Sequence, residues 1–315
     1  MADRPELSVV VPAFNEEENI GPMAERLTAV LSGVGDGFEI LFVDDGSTDA
    51  TWDRIAALSR RDQRIRGLRF SRNFGHQAAL TAGVAAARGE AVVIIDADLQ
   101  DPPEVIPEMV ARWREGAEVV YAQRERREGE TWFKKATARW FYRTLRALTS
   151  VDIPVDTGDF RLMGPRAVAA FRALPEHNRF NRGLVSWIGF PQTAVRYHRQ
   201  ARAAGETKYP LRKMVRLAVD GLVGFSSVPL RLATVLGLAA AALAAAVVAA
   251  AVGLRAAGNG WAGQAAVVAA ILFLGGVQLV TIGILGEYTG RILDEVRGRP
   301  LYIVRETTEE PGEPD

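Results

Sequence analysis

Two long stretches without a charged residue constrain the fold of this chain more than any other feature. They run from Leu232 to Leu254 and from Trp261 to Gly286, with a short loop between them. At a rise of 1.5 Å per residue, the first stretch makes a helix of about 34 Å, longer than the roughly 30 Å hydrocarbon core of a bilayer. We therefore predict transmembrane helices at 229–254 and 261–286. The alternative is an alanine-rich helical hairpin in a soluble protein.

Basic residues flank this pair of stretches and are sparse between them. Lys208, Arg212 and Arg231 precede the pair, Arg291 follows it, and the connecting loop contains Arg255. Because cytoplasmic flanks are enriched in Lys and Arg, both ends are expected to face the cytoplasm. The first residues lack the basic-then-apolar order of a signal peptide. The sequence thus predicts a multi-pass protein whose N-terminal domain and both termini are cytoplasmic.

The first two hundred residues have a different pattern, in which short Val- and Ile-rich runs alternate with helical segments. Strands that alternate with helices are typical of an α/β fold with a mainly parallel sheet, covered on both faces. In such a sheet, ligands bind beyond the carboxyl ends of the strands. The predicted strands are 7–14, 38–46, 65–70, 91–98 and 117–124, and helical segments between them include 51–61 and 79–88.

Polar clusters follow four of these predicted strands. They are PAFNEEEN, DDGSTD, DADLQD and QRERR. Asp96 and Asp98 lie one residue apart after a buried strand, and such a pair of carboxylates suits a divalent cation that also binds substrate phosphates. A solvated turn is the alternative reading of this short spacing. Glu17, Glu18, Asp44 and Asp49 are expected instead to cap helices or fix turns.

Composition excludes several other classes of site. Lys plus Arg and Asp plus Glu balance at 38 each, which gives no basic excess for binding nucleic acid. The chain has no cysteine, so disulfides, thiolate metal sites and a cysteine nucleophile are excluded. The sequence contains neither a G-x-G-x-x-G after the first strand nor a P-loop pattern. The three histidines lack the spacing of a zinc site.

Seven features occurring in order carry a family resemblance. They are PAFNEEENI, VDDGSTDAT, SRNFGHQAALTAG, DADLQDPPEVIP, GDFRLM, RAAGETKYP and the two C-terminal apolar stretches. Together they resemble the polyprenyl-phosphate glycosyltransferases of glycosyltransferase family 2, relatives of dolichyl-phosphate mannosyltransferase and bactoprenol glucosyltransferase. The resemblance implies a GT-A domain at 1–205, a juxtamembrane amphipathic segment at 206–228 and the two membrane helices. A cytoplasmic tail at 287–315 follows, and its acidic end, 307–315, is expected to be disordered.

The resemblance also implies roles for individual residues. The donor nucleotide would be bound by Pro12, Phe14, Glu16, Asp45, Asp96 and Arg124. Mg²⁺ or Mn²⁺ would be held by Asp96, Asp98 and Gln100. Asp98 and Asp159 would be catalytic, with Asp159 a general base, an organiser of the site or simply a loop cap. The acceptor phosphate would be bound by Arg161, Arg202 and Lys208. His76 would either contact the donor or be a structural histidine at the start of a helix.

A basic amphipathic segment at 131–148 is expected to be helical. Trp132, Phe133, Trp140 and Phe141 recur in it at helical spacing, with Lys and Arg interleaved. Such a helix is typical of the headgroup region of a membrane. The alternative is a helix that packs on the core of its own domain.

The activity implied is transfer of glucose from UDP-glucose to undecaprenyl phosphate, with inversion, for modification of cell-envelope glycans. GDP-mannose or another nucleotide sugar is the alternative donor. A processive polysaccharide synthase and a non-catalytic membrane scaffold are alternatives of other classes. The expected location is the bacterial inner membrane. The expected partners are the nucleotide sugar, the polyprenyl phosphate, membrane lipids, further copies of the chain and a separate flippase, with no nucleic acid.

Overall fold

The computed structural model describes residues 4–35, 37–124, 157–198, 223, 226–258 and 260–309. These fall into two compact units, one built on a β-sheet and one made of two long helices. The predicted amphipathic helix at 131–148 lies outside the described residues. So do Arg202, Lys208 and most of the segment at 206–228.

The sheet unit contains a single mixed sheet of eight strands within the described residues, in the order β7-β5-β6-β4-β1-β2-β3-β8. The central strands β3, β2, β1 and β4 are parallel to one another, as predicted for an α/β fold. The strands are β1 Leu7–Ala13, β2 Phe38–Asp44, β3 Ile65–Phe70, β4 Ala91–Ile94, β5 Val119–Arg124, β6 Thr157–Met163, β7 Gln192–Tyr197 and β8 Val304–Thr307.

Three strands were not predicted from the sequence. Strand β6 runs antiparallel between β4 and β5, and β7 pairs in parallel with β5. Strand β8 pairs antiparallel with β3. Because β6 is buried along its whole length, GDFRLM is a strand of the sheet interior and not a loop.

Helices cover both faces of the sheet because its strands are apolar on both sides. Val9 and Val11 belong to the core beneath α1, α2 and α4, whereas Val10 faces the opposite side and contacts α3 at Gly83. Both faces of the sheet are therefore covered and shielded from solvent, as in other parallel sheets. The helices are α1 Glu17–Ser32, α2 Thr51–Arg61, α3 His76–Ala86, α4 Ile106–Arg114, α5 Pro165–Ala173 and α6 Asn181–Trp187.

The segment after the second long helix corrects the predicted tail. Residues 307–309 were expected to belong to a disordered end, but Thr307 closes strand β8 and Glu309 forms ion pairs with Arg66 and Arg88. The expectation was wrong because acidic composition alone did not show that arginines on β3 and beside it would neutralise Glu309. Residues 310–315 lie outside the described part of the chain.

The helical unit consists of α7 Val228–Ala256 and α8 Gly260–Arg297. Both helices are long and apolar enough to cross a membrane, with mean hydropathies of 2.5 and 2.4 in their most apolar windows. Only 17% and 6% of these windows are buried, which disfavours the alternative of a soluble buried hairpin. Helix α8 continues about three turns beyond the predicted end at 286, because its charged last turns still have helix-forming residues.

Alanines form the face of α7 that is buried. Ala233, Ala240, Ala244 and Ala251 recur at helical spacing, and small side chains allow close approach of a neighbouring helix. The Tyr288 hydroxyl of α8 donates to the Ser226 carbonyl just before α7, at 2.6 Å. Large apolar side chains such as Leu238 and Leu272 are exposed, which suits a lipid environment.

Candidate active site

An open cavity of about 310 Å³ lies at the carboxyl ends of the central strands. It is formed by the end of β1, the residues that follow β1, β2 and β4, the loop between β3 and α3, and the start of α3. This is where the parallel topology places ligands. Six of the predicted site residues line the cavity: Pro12, Phe14, Glu16, Asp45, Asp96 and Asp98.

The carboxylates of Asp96 and Asp98 fit the predicted divalent cation. Asp96 Oδ1 is buried and has no hydrogen-bond partner among the described residues, and Nε2 of His76 is 3.6 Å away. A buried carboxylate oxygen without a partner is costly unless a ligand satisfies it. Within the described part of the chain, no three His, Cys, Asp or Glu residues are grouped around one metal position. Two carboxylates plus substrate phosphates are the ligand set that Mg²⁺ commonly uses.

The turn after Asp98 is strained and positions the residues beyond it. Leu99 has φ of 57°, a left-handed conformation that a leucine seldom adopts. The backbone N–H of Gln100 donates to Asp98 Oδ1 at 3.1 Å, which fixes the Asp98 side chain. Gln100 itself is 4% exposed and does not line the cavity, so its role as a metal ligand stays a prediction.

Asp159 lies in a cluster of charged side chains beside the cavity. Arg182 Nε lies 2.8 Å from Asp159 Oδ1, and Arg182 Nη2 lies 3.1 Å from Oδ2. His76 Nε2 is 3.2 Å from Asp159 Oδ2. His76 lines the cavity and stands between Asp159 and Asp96, so it connects the β6 carboxylate to the proposed metal ligands.

The two carboxylates that flank His76 have pKa values shifted in opposite directions. Burial raises the pKa of Asp96 to about 6, against a lowering by His76. Burial alone would also raise the pKa of Asp159, but the hydrogen bond from His76 and the charge of Arg182 hold that pKa well below its ordinary value. Burial lowers the pKa of His76, and its two carboxylate neighbours outweigh this and raise it. A lowered pKa favours the ionised form of Asp159 and makes it a weaker proton acceptor. Its role as an organiser or a general base stays a prediction.

Arg161 has partners other than those expected of an acceptor-binding residue. It is 5% exposed, and its guanidinium donates to the backbone carbonyls of Asp159 at 3.3 Å and Gly158 at 3.1 Å. Burial lowers its pKa to about 10. It does not line the cavity, so its predicted contact with the acceptor phosphate stays a prediction, whereas Arg182 presents a more exposed guanidinium beside Asp159.

Arg124 is held at the end of β5 by two neighbours. Its Nε donates to the Tyr197 hydroxyl at 3.0 Å, and its Nη2 lies 3.5 Å from Asp101 Oδ2. The Tyr197 hydroxyl also donates to Asp101, which is fully buried. A Cβ at Gly158 would lie 2.9 Å from Arg124 Nη2, so the guanidinium packs against the strand that carries Asp159. Its role in binding phosphate stays a prediction.

Asp45 holds the loop that precedes α3. Its Oδ1 accepts the backbone N–H of Phe74 at 2.7 Å, and its Oδ2 accepts that of Gly75 at 3.0 Å. Burial raises the pKa of Asp45, and these hydrogen bonds partly oppose that increase. Asp45 therefore shapes the cavity wall and lines the cavity at once.

The loops after β1 and β2 are tied together by side chains. Asn15, with φ of 54°, accepts the Thr48 N–H at 2.9 Å. Glu17 Oε2 accepts the Ala50 N–H at 3.1 Å, and Asp49 Oδ2 accepts the Glu17 N–H at 3.3 Å. The prediction that Glu17 and Asp49 cap helices or fix turns is confirmed, since each accepts an N–H where α1 or α2 begins. Asp44 does the same, since its Oδ1 accepts the Ser47 N–H at 2.9 Å.

Sequence reasoning missed Arg182 and left His76 undecided. Arg182 is 23 positions from Asp159, and the strand that carries Asp159 was not predicted, so no local signal linked the two. His76 stood in a quoted motif, but only the fold brings it to Asp159, which is 83 positions away. Arg202 and Lys208 lie outside the described residues.

Comparison with known proteins agrees with this geometry. Residues 8–170 match the family described as Glycosyl transferase family 2. An uncharacterized glycosyltransferase, YkcC of Bacillus subtilis (strain 168), is 48% identical, and the match covers 95% of this chain and 93% of that protein. The SfII prophage-derived bactoprenol glucosyl transferase of Shigella flexneri is 42% identical, with 96% and 98% covered.

A solved structure also resembles the chain. It is glucosyl-3-phosphoglycerate synthase from Mycobacterium tuberculosis, in complex with Mn²⁺, UDP-glucose and phosphoglyceric acid. It is 22% identical, with a TM-score of 0.48 and coverage of 70% of this chain and 78% of that one. The match over residues 8–170 and the two relatives show the family of this chain. With its GT-A-like sheet and two apolar C-terminal helices, this protein belongs to glycosyl transferase family 2.

Proposed function

We propose that this protein transfers a single hexose from a nucleotide diphosphate sugar to a polyprenyl phosphate in the membrane. The proposed donor is UDP-glucose, which supplies glucose, and the proposed acceptor is undecaprenyl phosphate. GDP-mannose or another nucleotide sugar is the alternative donor. The product, a polyprenyl-phosphate sugar, would serve the modification of a cell-envelope glycan.

The observation that carries the proposal is the extent of similarity to bactoprenol glucosyl transferases. Three bactoprenol glucosyl transferases from Shigella phages are 41–42% identical, and the matches cover 95–96% of this chain, including the two apolar helices. An acceptor phosphate on a long isoprenoid requires a membrane-bound enzyme. The two helices supply such an anchor, and anchoring raises the effective concentration of a lipid acceptor.

The donor would bind in the cavity beside Asp96 and Asp98. Pro12 at the end of β1, with Phe14 and Glu16 after it, would contact the base and ribose, and Asp45 would hold the adjoining loop in place. A divalent cation, Mg²⁺ or Mn²⁺, would neutralise the charge that develops on the leaving nucleotide diphosphate. The unpartnered Asp96 Oδ1 and the lining position of Asp98 support both as ligands.

The acceptor phosphate would attack the anomeric carbon in one step with inversion. A phosphate monoester has a second pKa of about 6 and is therefore largely ionised at neutral pH, so the nucleophile needs no strong base. Asp159, ionised between His76 and Arg182, would orient these two cations beside the reacting groups. Arg182 is the described cation that could contact the acceptor phosphate there, together with the predicted Arg202 and Lys208.

The proposed location follows from the basic flanks of the two helices. The sheet domain and both termini would lie on the cytoplasmic side of a bacterial inner membrane, where nucleotide sugars are made. The lipid-linked product would then require a separate flippase to reach the outer side. Self-association of the chain through its exposed apolar helices is part of the same proposal.

A transfer assay with the purified full-length protein tests the proposal. The protein in detergent would be incubated with undecaprenyl phosphate, Mg²⁺ or Mn²⁺ and one labelled donor at a time: UDP-glucose, GDP-mannose, UDP-N-acetylglucosamine or UDP-galactose. Label that moves into the organic phase from one donor, and stops moving when EDTA is added, is the expected result. The product should carry one sugar.

Three other outcomes would change the proposal. A polymeric product would indicate a processive synthase. Binding of a donor without any lipid product would indicate a scaffold. Transfer that EDTA does not affect would remove the metal from the proposal and leave the reaction class intact.

A further inference from the structure

Three aromatic rings connect the C-terminal end of the described chain to the cavity. The Tyr302 ring stacks on Phe70, with centroids 5.0 Å apart and an interplanar angle of 15°. Phe70 meets Phe74 edge-on, at 5.6 Å and 87°. The Phe74 N–H donates to Asp45 Oδ1 at 2.7 Å, and Asp45 lines the cavity. The rings thus support the loop that carries Gly75 and His76.

A chain of charged groups reaches the same place from strand β8. Arg69 Nη1 donates to Glu306 Oε1 at 2.8 Å, and Arg69 Nε lies 3.2 Å from Asp44 Oδ2. The Asp44 carboxylate is fully buried, and its other oxygen accepts the Ser47 N–H. Ser47 Oγ in turn accepts the Asn15 N–H at 2.9 Å in the loop after β1. Asp44 and Asp45 are neighbours, so both connections converge at the end of β2.

The C-terminal strand segment, residues 302–309, is held along its length. The Ser71 N–H donates to the Ile303 carbonyl at 2.9 Å, and the Gly67 N–H donates to Thr308 Oγ1 at 2.8 Å. Glu309 receives two-point hydrogen bonds from Arg66 and from Arg88. A strand paired and clamped in this way has a fixed register, so Tyr302 and Glu306 meet their partners at defined positions.

We propose that the C-terminal strand segment is a positioning element of the donor site. Tyr302 and Glu306 would hold the end of β2 and residues 71–76 in the conformation that receives the nucleotide sugar. This inference rests on the proposed function, because it takes the cavity as the donor site. Neither residue touches the cavity, so both would act on donor binding through Phe74, Asp44 and Asp45.

Substitutions of Tyr302 in the full-length protein test this role. Tyr302→Ala removes the ring, Tyr302→Phe keeps it without the hydroxyl, and Tyr302→Leu keeps apolar volume without a ring. Glu306→Gln tests the charged connection separately. Val304→Thr is the matched control, because Val304 lies on the same strand with an exposed side chain. Two quantities are measured for each variant: amide hydrogen exchange of residues 71–76, and KM for donor and for lipid acceptor.

The expected effect of Tyr302→Ala is confined to the donor side. Exchange at residues 71–76 should accelerate, and donor KM should rise about threefold to tenfold, as expected for loss of one aromatic pair. Acceptor KM should stay unchanged. Tyr302→Phe should restore both quantities, and Val304→Thr should alter neither. Glu306→Gln should raise donor KM in the same direction.

Two results would overturn the inference. One is unchanged amide exchange at residues 71–76 in Tyr302→Ala and Tyr302→Leu. If the alanine variant fails to fold, unchanged exchange in Tyr302→Leu alone is sufficient. The other is an equal change in donor and acceptor KM, which indicates a general loss of structure. If the wild-type protein transfers sugar from no donor, the proposed function fails, and the exchange comparison alone then decides whether the segment holds this loop.

Discussion

Arg182 and Asp159 form a two-point ion pair at the edge of the cavity, with N–O distances of 2.8 and 3.1 Å. Helix α6 supplies the arginine and strand β6 supplies the buried carboxylate. With His76 on its other side, Asp159 is fixed in one orientation and kept ionised. We expect this pair to make Asp159 an organiser of the cations around the site.

A double-mutant cycle tests this organising role. Asp159→Asn and Arg182→Gln should each lower kcat/KM, and the double variant should be little worse than the worse single variant, because both changes disrupt one unit. Arg182→Gln should also cost about 1–3 kcal/mol of stability, since it leaves a buried carboxylate with fewer partners. Additive effects of the two single substitutions would contradict the coupling. Arg166→Gln, at an exposed arginine away from the cavity, is the control.

Loss of Asp98 should abolish transfer without unfolding the protein. Asp98→Ala removes a cavity carboxylate that contributes to ligand charge, so the rate should fall about 100-fold or more, equivalent to about 2.7 kcal/mol. Mn²⁺ plus UDP should raise the unfolding temperature of the wild-type protein and not that of the variant, because ligands stabilise the state that binds them. Asp53→Ala, an exposed carboxylate on α2, should behave like wild type. Metal-induced stabilisation that persists in Asp98→Ala would remove Asp98 from the metal site.

Two glycines in helices should respond to alanine in opposite directions. At Gly83, a Cβ would lie 2.1 Å from Val10 Cγ1, so Gly83→Ala should push α3 from β1 and cost about 1–3 kcal/mol. At Gly21 in α1 nothing lies within 4 Å of the added Cβ, so Gly21→Ala should stabilise the protein by about 0.5–1 kcal/mol. Urea unfolding of both variants in the same detergent measures the difference. Equal effects would show that α3 does not approach β1 this closely.

Acid should erase the contribution of Glu309 to stability. Burial alone would raise its pKa, but hydrogen bonds and charge from Arg66 and Arg88 lower it below the ordinary 4.5. Because the folded-state pKa is the lower one, the ion pairs stabilise the protein fully above pH 4.5, and this is lost as pH falls through the folded pKa. The unfolding temperature of Glu309→Gln should therefore lie below that of wild type near neutral pH, and the gap should close in acid. A gap independent of pH would contradict this, and Glu90→Gln at an exposed glutamate is the control.

The absence of cysteine allows a direct test of membrane orientation. Ala257→Cys places one thiol in the exposed turn between α7 and α8, and Asp53→Cys places one on the sheet domain. A membrane-impermeant maleimide should label the first in intact cells and the second only after lysis. The reverse pattern would invert the proposed topology, and labelling of both in intact cells would argue against two spans.

The sequence by itself determined the central strands, the apolar helices and the cavity end of the sheet. These depend on local patterns: Val- and Ile-rich runs, uncharged stretches and polar residues directly after strands. Asp96 and Asp98 were identifiable because their position after a buried strand is enough to place them at a ligand-binding edge. The family resemblance added residue roles that the spacing alone left open.

The tertiary structure decided what lies around those carboxylates. Strand β6 enters the sheet antiparallel between β4 and β5, and this pairing brings Asp159 to His76, 83 positions away in sequence. The return of residues 302–309 to β3 likewise joins the end of the chain to arginines more than two hundred positions earlier. Such contacts depend on the path of the whole chain and on neutralisation of buried charge. Periodicity within a short window contains neither kind of information.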